Sequence, residues 1–226
     1  GPDSHGDIVF WPLFALGEYL AASGDAALLD QEVPFFHPEA ERAEQATVLA
    51  HVERALALIA ARAIPGTALT DYGHGDWNDT LQPVDREVAK RLCSAWTVTL
   101  HCQMLGALAP ALRAAGRDAF ADRLEHTLAA VRSDFQRHLV VDGVLAGFAR
   151  FHDDGRVAPW LPPRDDDEMG VHYSLLATSH AVLAGLFTPE QAQRHAAIIA
   201  QHLTGADGGR LFDRPIPYRG GLQRRF

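Results

Sequence analysis

The 226-residue chain lacks most of the features that would place it at a glance. It has only two cysteines, Cys93 and Cys102, nine residues apart. On a single helix that spacing puts them on opposite faces, so they cannot bridge each other. Such thiols suit a reducing compartment, and the expected location is the cytoplasm. Positive charge is in deficit, with 20 Lys and Arg against 29 Asp and Glu, a net charge of -9 and a pI near 5.7. A nucleic-acid backbone or an anionic membrane needs a basic face, and the terminal Arg224-Arg225 pair is too short to form one. No apolar run approaches the ~20 residues that cross a bilayer, and no secretory leader is recognisable. Also missing are a Gly-rich nucleotide loop, a Gly-x-Ser-x-Gly elbow and a Cys-x-x-Cys redox pair. The twelve histidines include no His-x-x-x-His pair with a third ligand at sensible spacing, so no metal is expected. His101 beside Cys102 reads as core.

What the chain does have is helical periodicity, at a hydrophobic content of 47%. Six helices are expected, and the fold class is all-α. The first, Ile8 to Ala22, is apolar most of the way round and stops at Ser23-Gly24. The second, Glu39 to Ala63, sets Val48, Val52, Leu56 and Ile59 opposite Glu44, Arg54 and Arg62. The third, Arg86 to Ala115, is again broadly apolar. The fourth, Asp118 to His138, has a narrow stripe of Phe120, Leu124, Leu128, Val131 and Phe135. The fifth, Val171 to Phe187, is apolar nearly all round. The sixth opens on Thr188-Pro189-Glu190-Gln191, an N-cap, a proline at the first helical position and a capping-box Gln.

Enclosed and half-exposed helices therefore alternate. Hairpins of that kind stack side by side into an (α/α)6 toroid, with an inner ring clothed by an outer one. Three pairs make about half of it, so residues 1–226 are read as one partial catalytic domain, a fragment of a longer enzyme. The turns at Gly116-Arg117 and Phe187-Thr188 are short. The connections over 64–85 and 139–170 are long, and both lead into enclosed helices, so they gather on one face. The second carries a hairpin signature, Val140-Val141-Asp142-Gly143-Val144-Leu145, and a further turn at Asp153-Asp154-Gly155. A small strand pair over the mouth is expected there.

Chemistry concentrates in the first long connection, Asp71-Tyr72-Gly73-His74-Gly75-Asp76-Trp77-Asn78-Asp79-Thr80-Leu81-Gln82-Pro83. Its glycines permit backbone conformations closed to other residues. An indole among carboxylates and amides is how a sugar site is built, the ring taking the C–H face of the pyranose. A carboxyl group near an indole can hold the raised pKa that a general acid needs.

Gly75-Asp76-Trp77-Asn78-Asp79 resembles the loop of cellobiose phosphorylase and its relatives, glycoside hydrolase family 94. The stretch IVFWPLFALGEYLAASGDAALLDQEVPFF over Ile8–Phe36 and the run Cys93-Ser94-Ala95-Trp96-Thr97-Val98 are similar to the same family. Tyr72-Gly73-His74 and Thr80-Leu81-Gln82-Pro83 resemble its branch acting on β-1,2-linked glucans. The resemblance implies inverting phosphorolysis of β-1,2- or β-1,4-linked gluco-oligosaccharides, giving α-glucose 1-phosphate. Asp79 would be the general acid and inorganic phosphate the nucleophile, with no cofactor. Trp77 and Asn78 would shape the subsite where the bond breaks, with Asp76, His74, Gln82 and His172 as further substrate-binding candidates. Implied partners are oligosaccharide and phosphate, with neither nucleic acid nor membrane, and the family suggests a homodimer.

Each of these residues also has a plainer role. Asp79 could serve as a helix N-cap ahead of Arg86, and Asp76 as support for the loop. His74 could hold the loop by hydrogen bonds, and Tyr173 could be core. His172 opens a helix whose N-terminus favours an anion. Two other functional readings stay open. One is an inverting hydrolase with a second carboxylate from Asp165-Asp166-Asp167-Glu168, which would stand ~6.5–9.5 Å from the acid. The other is a non-catalytic helical carbohydrate-binding scaffold.

Overall fold

The computed structural model describes residues 5–39, 41, 43–77, 86–160 and 171–215. Asn78, Asp79, Gln82 and the Asp165–Glu168 run lie outside the described residues, and so does the end of the chain from 216. Seven α-helices and nine short strands are found among the described residues. The helices are α1 (Phe10–Ser23), α2 (Val48–Ala61), α3 (Arg86–Ala89), α4 (Ala95–Ala114), α5 (Asp118–His138), α6 (Leu175–Leu183) and α7 (Pro189–His202).

The axis of the molecule is α4, which packs along α1 and α5 and also touches α6. Apolar side chains cover nearly its whole circumference, and 14 of its 20 residues are buried. On one flank Leu105, Leu108 and Leu112 meet Phe10, Leu13 and Leu20 of α1, Val52 and Ile59 of α2, and Phe120 and Leu124 of α5. On the other, Trp96, Val98 and Cys102 meet Val131 and Phe135 of α5 and Ala177 and Ala181 of α6. The alternation expected from the sequence is therefore real at α4 and α5. Contact between α1 and α4 is close because Gly17 has no side chain. A Cβ there would stand 2.8 Å from the Leu108 backbone nitrogen.

Two of the enclosed helices differ from expectation. Helix α1 buries only Phe10, Leu13, Gly17 and Leu20, while Trp11 and Tyr19 are exposed. On α6, Val182 and Leu183 are likewise exposed. Each has α4 on one side only, which is why its apolar circumference is half covered.

Element boundaries differ from expectation at the second, third and fifth helices. The second helix begins at Val48, not Glu39, because Thr47 is extended and caps it, accepting a bond from the Ala50 amide at 3.1 Å. Ahead of it β1 (Glu32–Pro34) pairs antiparallel with β2 (Gln45–Thr47). The third helix is interrupted by β3 (Leu92–Ser94), all three residues of which are buried. That strand pairs with β6 (Phe148–Phe151), which pairs in turn with β7 (Val157–Trp160). A strand buried on both faces has no alternation to betray it. Cys93 consequently sits on a strand and Cys102 on a helix, not together on one helix, and both are free and buried. The fifth helix starts only at Leu175, because the amides of His172 and Tyr173 are taken by Asp213 at 2.8 and 3.0 Å.

The turn chemistry came out as read. Gly24 closes α1 at φ 67°, and Thr188 and Gln191 form a reciprocal capping box on α7. The hairpin of β4 (Val140–Val141) and β5 (Val144–Leu145) turns through Asp142 and Gly143 at φ 51° and 77°, as a type I′ turn requires. His195 of α7 accepts the Leu145 amide at 3.0 Å and so fixes the hairpin to the third helix pair. A last pair, β8 (Thr204–Gly205) and β9 (Gly208–Gly209), follows α7. No helix among the described residues is long and apolar enough to cross a membrane.

Candidate active site

The two long connections meet at the N-terminal end of α4. The Tyr72 amide donates to Leu92 O of β3 at 2.7 Å, and the Tyr72 ring, fully buried, stands edge-on to Phe148 of β6 with centroids 5.6 Å apart. The 71–77 loop and the β3–β6–β7 sheet thus form one layer over that end of the helix.

Arg62, just past α2, fixes the start of the loop. Its Nε and Nη2 donate to Asp71 Oδ1 at 2.9 and 2.7 Å, Nη2 also reaches Asp71 O, and Nη1 donates to Gly6 O at 2.9 Å. Gly73 at φ 60° passes beneath the guanidinium, where a Cβ would stand 2.7 Å from Nη2. The Gly6 amide donates to Gly75 O at 2.6 Å, and Gly75 has φ 117°. Both glycines hold backbone angles that other residues rarely adopt, the property anticipated from their spacing.

From Gly75 the chain turns inward. Asp76 is fully buried and accepts a bond from the Thr97 hydroxyl of α4 at 3.2 Å, geometry suited to holding the loop. His74 lies at the exposed turn between the glycines. Trp77 is half-buried within an aromatic cluster that the sequence did not announce. Its ring stacks on Phe212 at 6.5 Å and 13°, and meets Trp96 at 5.9 Å and 68°. Trp96 in turn contacts Trp11 at 6.2 Å and His180 at 4.5 Å. Gln103 donates to His180 Nδ1 at 2.7 Å, and burial pushes the His180 pKa down, so this imidazole is a neutral packing element. The buried Asp7 carboxylate faces the Trp96 indole N–H at 3.5 Å.

His172 is partnered by Asp213, with Nδ1 and Oδ2 3.3 Å apart. Burial raises the Asp213 pKa, but the amides of His172 and Tyr173 and the His172 ring outweigh it and leave the carboxyl below its usual range. Tyr173 is half-buried, outside the core, and stacks on His202 of α7 at 4.8 Å. The structure therefore draws together Asp76, Trp77, Trp96, Trp11, His180, Asp7 and Phe212. Periodicity had assigned Trp11 and Trp96 to helix packing. Phe212 lies 135 residues beyond Trp77, too far for local spacing to connect them. No group of three His, Cys, Asp or Glu placed to hold a metal occurs among the described residues.

The half-buried Trp77 indole and the buried Asp76 carboxylate thus sit together where two loops cover the N-terminal end of α4. Over residues 2–219 the chain matches the Glycosyl hydrolase 94 superfamily, catalytic domain, and it belongs to that family. It is similar to the 1,2-beta-oligoglucan phosphorylase of Listeria innocua, with 37% identity over 227 residues, covering 99% of this chain and 20% of that relative. The chain thus spans about a fifth of the length of the curated relative it matches.

Proposed function

We propose that this chain is the acid-bearing part of a glycoside phosphorylase that cleaves β-linked gluco-oligosaccharides with inversion. The observation that carries the reading is the Gly75-Asp76-Trp77-Asn78-Asp79 run, whose Trp77 is wedged in an aromatic cluster at the end of α4. Its placement supports Trp77 as the platform for a pyranose ring, and Asp79, two residues on, as the general acid.

In this reading Asp79 gives its proton to the glycosidic oxygen as that bond breaks, and phosphate oxygen attacks the anomeric carbon from the opposite face. The products are α-glucose 1-phosphate and an oligosaccharide one glucose shorter. Phosphate arrives as an anion, so no second carboxylate has to activate a water, the requirement in an inverting hydrolase. Asn78 and Gln82 serve as hydroxyl ligands and His74 and His172 as contacts to phosphate or sugar. Asp76 sets the loop through Thr97. No cofactor takes part. The linkage favoured is β-1,2, in keeping with the name of the relative. The three helix pairs are half of an (α/α)6 toroid, with α1, α4 and α6 as the inner members.

The test is phosphate release from α-glucose 1-phosphate by the complete protein, with glucose, cellobiose and sophorose as acceptors. Acceptor-dependent release is expected, greatest with sophorose. Asp79→Asn should lower turnover by roughly 10²–10⁴-fold while oligosaccharide binding persists. Unchanged turnover in Asp79→Asn removes it as the acid. Glucose freed from β-glucan in phosphate-free buffer, with no phosphate release, makes the enzyme a hydrolase.

A further inference from the structure

We propose that Phe212 is a positioning residue of the sugar site, fixing the plane of the Trp77 indole so that a pyranose ring packs on the face away from Phe212. This rests on the reading of Trp77 as the sugar platform and extends it to a segment that neither the loop motif nor the helix pattern singles out.

The near-parallel contact between the two rings, at 6.5 Å and 13°, lies within the range of productive aromatic stacking. Trp96 crosses the same indole at 68°, so Trp77 is braced by one parallel and one crossed ring. A cavity of about 10 Å³ beside them, lined among others by Trp77, Trp96, Phe148 and Phe212, holds no more than one water, so the rings pack with little free space on this side.

Phe212 is itself held by backbone. It forms an antiparallel bridge with Ser174, the residue before α6, and the Leu175 amide donates to Leu211 O at 2.9 Å. The next residue, Asp213, accepts the amides of His172 and Tyr173. Three consecutive residues after the third helix pair are thus pinned to the start of α6, and the middle one faces Trp77. Phe212 is not among the buried residues of either hydrophobic cluster; it is half-buried at the edge of the second, where its ring lies against Trp77.

The experiment uses the complete protein and three variants, Phe212→Ala, Phe212→Leu and Phe212→Tyr. Oligosaccharide affinity is read by calorimetric titration, and KM and kcat by phosphate release. A platform that touches sugar in both ground and transition states acts mainly through KM. Phe212→Ala and Phe212→Leu should weaken binding and raise KM roughly two- to ten-fold, the worth of one aromatic contact, with a smaller change in kcat. Phe212→Tyr should stay within about two-fold of the parent, because it keeps the ring. A Phe212→Leu variant that binds like the parent overturns the proposal, since bulk without a ring then suffices. So does equal loss in all three variants with a lowered melting temperature, which marks a folding role. If the parent binds oligosaccharide but performs no phosphorolysis, the chemical reading fails while the binding series still decides the role of Phe212. A parent that binds no oligosaccharide ends both.

Discussion

His101 of α4 is a titratable group in the wrong medium. It is 3% exposed, it packs against the Phe10 ring at 4.9 Å, and its Nδ1 has no hydrogen-bond partner. Burial pushes its pKa from 6.5 down to about 4. The folded state thus holds this imidazole neutral where the unfolded chain would protonate it. Between pH 6.5 and 4 the unfolded state binds more protons, so stability is fully present above pH 6.5 and is lost as pH falls toward 4. At about 1.4 kcal/mol per unit the full loss is about 3 kcal/mol. Replacing His101 by Leu should flatten the acid side of the unfolding midpoint plotted against pH by up to that amount, and an unaltered slope would refute the assignment. His138, His180 and His195, whose pKa values burial also lowers, add slope in the same direction. At this scale the sequence was partly legible. The Trp77 loop could be read from its own composition, and His101 was read correctly as core. The braces on Trp77 could not be read, because Trp96 and Trp11 look like ordinary helix residues and Phe212 is brought near only by the tertiary fold.

Among the elements, α1 and α4 approach closely at Gly17. A methyl group there meets Leu108 N at 2.8 Å and Ala107 C at 2.9 Å, both backbone atoms that cannot step aside singly. Gly17→Ala should therefore destabilise by roughly 1–3 kcal/mol despite the better helix propensity of alanine. A stability at or above the parent, by chemical denaturation, would show that the two helices can separate at no cost. The helices whose ends carry explicit chemistry were the ones legible in advance. Asp118–His138 matched residue for residue, and the Thr188 capping box was found as read. The boundary inside the third helix failed because the chain there is apolar without punctuation. Leu92–Ser94 is as hydrophobic as the helix that follows it, and only the edge of β6, more than fifty residues later, makes it a strand. Likewise the fifth helix does not begin before Leu175, because Asp213 takes the amides of His172 and Tyr173.

For the molecule as a whole, the apolar faces left open are informative. Trp11 and Tyr19 on α1 and Val182 and Leu183 on α6 lie on helices that flank the central α4. In the proposed half-toroid these are the two sides on which the ring continues, and much of the substrate site would be built beyond them. The 226-residue chain on its own should show at most weak phosphate release from α-glucose 1-phosphate, against clear release by the complete protein. A robust specific activity from the chain alone would refute the half-toroid. The alternation of enclosed and half-exposed helices, legible in the sequence, is what suggested this arrangement, and among the described residues it holds at α4 and α5.

Arg62 gives the site a property that its individual bonds do not name. One guanidinium holds Asp71 on one side and Gly6 on the other, and Gly6 also grips Gly75. Two segments about seventy residues apart in the chain are therefore closed by a single clasp. The loop that carries Trp77 and the segment leading into α1 are thus tied to each other through one side chain, and neither is anchored independently of the other.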